Sequence, residues 1–139
     1  MVSPLMAVRK MLERERRKRA EEIAAVAAEE IEVTTGIILY DYVGAEDAGR
    51  VSEEICEWTE RTVYDILMRK FSIKGVRFSK EELAKEVAEL AKEEMEMLAS
   101  IILSDYINTE EAIEAGKKVG EDVKAAVYDA FMRKMANNN

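Results

Sequence analysis

Residues 37–42 (IILYDY) recur as IILSDY at 101–106, and residues 63–70 (VYDILMRK) recur as VYDAFMRK at 127–134. Both pairs are separated by 64 residues, and laying 15–70 over 79–134 without gaps leaves 21 of 56 positions identical. Matches of Glu and Lys alone arise easily from composition. Two apolar-aromatic blocks held in one register do not. A duplicated unit of this kind covers its apolar face with its copy, so the chain reads as one domain, 1–139, built of two repeats.

The period inside each repeat is helical, and no stretch alternates as a strand does. In the second repeat, Ser79 is placed to cap a helix, Glu82 to reciprocate three residues later, and Phe78 to staple onto Leu83. That helix is expected to run to about Ile107. Asn108-Thr109-Glu110-Glu111 then repeats the capping pattern, with Arg133 and Lys134 suiting the far end of the next helix. The first repeat turns at Val43-Gly44-Ala45. Asp65 and Asp129 stand four residues before Arg69 and Arg133, the favourable order for a helix pair. The fold expected is all-α: tandem helical hairpins, 20–71 and 79–135, forming an up-down four-helix bundle. Residues 72–78 link the hairpins, and 136–139 form a polar tail. Ahead of them lies an arm, 1–19, in which Ser3-Pro4 suits a helix start and Leu5, Val8, Met11 and Leu12 follow at helical spacing.

Composition excludes several functions. There is no His, which removes the commonest general base, Ser-His triads and His-ligated zinc. One Cys allows no intrachain disulfide. No apolar run reaches membrane-span length, and residues 1–12 lack the features of a signal peptide, so a cytoplasmic protein with no membrane contact is expected. Gln is absent and Asn is confined to 108 and 137–139, while Glu, Lys and Arg abound, a thermophile-like balance. No phosphate-binding glycine loop or nucleophile elbow is present, and no catalytic residue is assigned.

Three features remain. The first is charge segregation. Residues 9–19 carry seven bases, Arg9, Lys10, Arg14, Arg16, Arg17, Lys18 and Arg19, against two acids. The other 128 residues hold 14 bases and 27 acids, a net of −13. A basic helical segment on an acidic chain points to an acidic partner: an acidic protein surface, another copy included, or nucleic acid. The run contains no aromatic residue for base stacking.

The second is a set of acids on an apolar face. Projected as a helix, Glu94 and Asp105 fall inside the apolar arc of 79–107, and Glu30 and Asp41 occupy the same places in the first repeat. Buried carboxylates need a cation. Either Mg²⁺ serves, with Glu30, Asp41, Glu94 and Asp105 as ligands, or a base such as Lys70, Lys134 or an arm arginine pairs with them, or the arc is too wide to be wholly buried and the acids sit at its wet middle or at an oligomer seam. The third is Tyr42, Tyr64, Tyr106 and Tyr128 with Trp58, which read as core-edge residues with wet hydroxyls. Cys56 reads as a small core residue.

Arg77-Phe78-Ser79 opening a long helix resembles the loop before the central helix of archaeal histones. The helix from Glu110 to Lys134 is far longer than the third helix of that family, and Ile107-Asn108-Thr109 stands where its basic second loop would be. Glu93-Glu94-Met95-Glu96 is similar to the paired-Glu motif of helical nucleoside-triphosphate hydrolases but lacks its three-residue spacing. The chain is therefore expected to be a non-enzymatic structural or assembly protein. It self-associates, needs no cofactor, and binds an acidic partner through its arm. The alternative is an all-α, Mg²⁺-dependent phosphohydrolase built on the four acids.

Overall fold

The computed structural model describes residues 3–71 and 79–136. Among them the protein is all helical: α1 (Pro4–Phe71), α2 (Lys80–Leu103) and α3 (Thr109–Ala136). The linker at 72–78, the Phe78 staple and the tail at 137–139 lie outside the described residues. No helix among the described residues is long and apolar enough to cross a membrane.

Capping chemistry sets the helix starts. The Ser3 hydroxyl accepts from the Met6 amide at 3.2 Å, Ser79 from Glu82 at 3.1 Å, and the Asn108 side-chain oxygen from Glu111 at 2.9 Å. Each satisfies an amide that the first helical turn would leave without a partner. Of the two expected Asp–Arg pairs, Asp129 and Arg133 form an ion pair, whereas Arg69 Nε donates to the Asp65 backbone carbonyl.

Two expectations about element boundaries need correction. Four main helices were expected, and three are found, because the first turn is a single residue. Gly44 alone leaves helical geometry, at φ 82° and ψ 170°, while Val43 and Ala45 on either side stay helical. That backbone region is essentially closed to any residue with a Cβ. The limbs before and after Gly44 lie against each other: the Ser52 hydroxyl donates to the Glu32 carbonyl at 3.2 Å. Second, α2 stops at Leu103 rather than near Ile107. There the Ser104 hydroxyl donates to the Ile101 carbonyl at 2.6 Å, drawing off an acceptor of the last turn. The first repeat has Tyr40 at that place and its helix continues to the glycine.

α2 and α3 pack antiparallel and very closely. A Cβ built on Gly116 would sit 2.8 Å from the Glu96 carbonyl oxygen, and one on Gly120 would sit 3.2 Å from that of Lys92. The core between the helices is rich in alanine, including Ala20, Ala24, Ala27, Ala84, Ala88, Ala91, Ala115 and Ala130, which lets the axes approach. Phe131, Ile23, Ile31, Leu39, Ile55, Ile66, Leu67 and Met95 fill the spaces that remain.

The repeat is visible in contacts as well as in letters. In the second repeat Ser100 on α2 faces Gly116 on α3, and the Ser100 hydroxyl donates to the Glu96 carbonyl at 2.8 Å. In the first repeat the counterparts are exchanged: Gly36 precedes the turn and Ser52 follows it, with Ser52 Oγ 3.9 Å from where a Gly36 Cβ would lie. The equivalent carbonyl, Glu32 or Glu96, receives a serine hydroxyl in both, from opposite sides of the crossing.

Candidate functional site

The limb of α1 before Gly44 spans 40 residues, about 60 Å, whereas α2, α3 and the second limb span roughly 36–42 Å each. The surplus is the arm. The first buried residue of α1 is Ala20, so Pro4–Arg19 project beyond the core as about 24 Å of helix. The arm is thus not a separate helix but a seamless extension of the first core helix. Within it Leu5, Met6, Val8, Met11 and Leu12 are all about half exposed or more. Leu5, Val8 and Leu12 fall within about 60° on the helix, with Arg9 and Arg16 immediately beside them. Among the described residues none of the seven arm bases pairs with a carboxylate. At its root, Leu12, Arg16 and Arg19 border a space shared with Phe71 and Met135.

The four acids do not converge. Glu30 accepts from Arg133 at 2.6 Å, and Glu94 from Arg69 at 3.3 Å. These bridges are exchanged between repeats, since Glu30 and Arg69 belong to the first and Glu94 and Arg133 to the second. Glu94, Asp41 and Asp105 are exposed, contrary to their place inside the apolar arc; only Glu30 is partly buried. Among the described residues no group of three or more Asp, Glu or Cys could hold a metal ion. Lys70, expected as a partner, instead bonds Glu86 at 2.5 Å. The pairing had one readable signal: Glu30/Glu94 and Arg69/Arg133 are identical at matched positions, so each repeat carries both halves of the bridge.

Burial, and then the neighbouring Asp129, push the Glu30 carboxyl above its ordinary range, against the pull of Arg133. Such a group binds its proton more readily folded than unfolded. Stability is therefore full at acid pH and falls as pH rises through the folded titration. Glu30→Gln removes that loss. Its melting temperature is expected to equal or exceed that of the parent at pH 7, the difference closing below about pH 4. A clear drop at pH 7 would mean the Arg133 bridge outweighs the desolvation.

Tyr42, Tyr64 and Tyr128 are partly buried against the core, while Tyr106 is exposed. Lys118 sits over the Tyr42 ring at 5.1 Å and Arg61 over Trp58 at 5.0 Å. Cys56 is half-buried at the core edge, where burial pushes its thiol up.

A groove that sequence reasoning missed lies between the limbs of α1. It encloses about 610 Å³ and is lined by Val33, Ile37 and Tyr40, by Gly36, Gly49 and Ser52, and by the acids Glu32, Asp41 and Glu53. Val33, Ile37 and Tyr40 are each well over half exposed. Among the described residues no base lines it. A second cleft, about 770 Å³ between α2 and α3, differs in charge: its Lys124 pairs with its Glu89 at 2.9 Å, and Glu121 is held by Lys92 at 3.1 Å. No protein-family model matches the chain, and no curated protein or solved structure shows significant similarity to it.

Proposed function

We propose that the protein is a non-enzymatic assembly protein: two helical hairpins packed as a four-helix bundle that associates with further copies through the basic arm. The chain reversals at Gly44 and at Ser104–Asn108 support the bundle. The observation that carries the function is the arm itself, a helical overhang that presents an apolar stripe together with bases that pair with no carboxylate among the described residues. Phosphates would engage the bases but offer nothing to Leu5, Val8 and Leu12. An acidic protein surface with an apolar centre engages both, which favours protein over nucleic acid.

Sedimentation of the full chain tests this. Oligomers are expected at micromolar concentration, weakening as salt shortens the screening length from about 10 Å at 0.1 M to about 3 Å at 1 M. A chain that stays monomeric yet binds duplex DNA, with a log–log salt slope of about −0.9 for each phosphate neutralised, would make the arm a nucleic-acid binder and overturn the reading.

A further inference from the structure

We infer that the groove beside Gly49 receives the arm of a second copy, so that molecules join head to tail. The inference rests on the assembly reading above and names the surface the arm binds. Three observations carry it.

The first is complementarity. The groove has an apolar lining with Glu32, Asp41 and Glu53 and, among the described residues, no base, while the arm has an apolar stripe with Arg9 and Arg16 beside it. The extents match: Leu5 to Leu12 and Val33 to Tyr40 each cover seven helical steps, about 10 Å. The α2/α3 cleft is a poorer host, since lysines already neutralise its acids.

The second is an otherwise unexplained glycine. Gly49 lies inside a helix with helical backbone angles, and a Cβ there would meet nothing within 4 Å. Neither a turn nor close packing calls for it, and a mid-helix glycine weakens a helix relative to alanine. Its repeat counterpart is Ile113. The repeats thus differ where the first one is open, as expected if the opening has an occupant.

The third fixes whose arm it is. Leu12 and Val33 lie on one uninterrupted helix, about 30 Å apart, because α1 breaks only at Gly44. An arm cannot fold back into its own groove, so the occupant comes from another copy. Arm and groove are different surfaces, so one arm–groove contact leaves an arm and a groove free to engage further copies head to tail.

The test uses two full-length variants. Gly49→Ile fills the groove with the side chain that the second repeat carries. Leu5→Glu/Val8→Glu spoils the arm at exposed positions outside the core. Both should keep parental helicity, and Gly49→Ile should melt no lower than the parent. In sedimentation each variant alone should be monomeric, with self-affinity down at least tenfold. An equimolar mixture should restore one arm–groove contact and stop at a one-to-one dimer. If the parent associates but Gly49→Ile associates equally well, or the mixture stays monomeric, the groove assignment fails while the assembly reading stands. A parent that is monomeric throughout overturns both.

Discussion

Gly44→Ala is expected to lower stability by about 2–3 kcal/mol, because alanine cannot adopt the backbone that the first turn requires without strain. For a chain of this size that is a fall of roughly 10 °C in melting temperature. The cause is conformational rather than steric, since a Cβ at Gly44 meets no atom within 4 Å. D-alanine, introduced by semisynthesis, should therefore be tolerated where L-alanine is not. Asparagine should fail too: it visits the left-handed helical region, but ψ of 170° lies far outside it. Gly49→Ala supplies the contrast. With helical geometry and open space, it should raise stability by about 0.5–1 kcal/mol. Thermal melts of the four variants check the set; equal effects of L-alanine at 44 and 49 would mean the chain does not turn at Gly44.

Gly116→Ser is expected to cost about 3 kcal/mol, at the upper end for overpacking. Its Cβ would fall 2.1 Å from Ser100 Oγ and 2.8 Å from the Glu96 carbonyl oxygen. The serine could rotate away, but the carbonyl is backbone and moves only with α2. Ser100→Gly alone should cost about 1 kcal/mol, through a mid-helix glycine and the lost bond to Glu96. The double variant Ser100→Gly/Gly116→Ser copies the Gly36/Ser52 arrangement of the first repeat. It should recover about 1–2 kcal/mol relative to the sum of the single changes. Denaturant unfolding of the four chains measures the coupling. Simple additivity would show that the two crossings are not equivalent.

The local rules of helix formation were readable in the sequence. The all-helical class, the caps at Ser3, Ser79 and Asn108, and the break near Gly44 each depend on neighbours within a few residues. The end of α2 was misread because the expectation followed the first repeat, whereas Ser104 in place of Tyr40 ends the helix early. The acids were legible only in part. A helical wheel shows a direction but not what stands there, so it leaves metal, base and water open and does not name Arg133 and Arg69, each from the other repeat, as the partners of Glu30 and Glu94. Lys70 likewise pairs with Glu86, an acid that the apolar arc does not single out. The groove was the hardest to see, since it is made by side chains that Gly36 and Gly49 lack.

Because the arm and the first core helix are one uninterrupted rod, the angular phase of the arm is locked to the body. Each residue added or removed between Arg14 and Ala20 turns the arm by about 100° and shifts it about 1.5 Å along its axis. A single-residue insertion there would leave every contact surface chemically intact while pointing the stripe a quarter-turn away. Spacing and twist between successive molecules would then be set by residue count at the root of the arm. Seven added residues, nearly two full turns, would restore the original phase at about 10 Å greater reach.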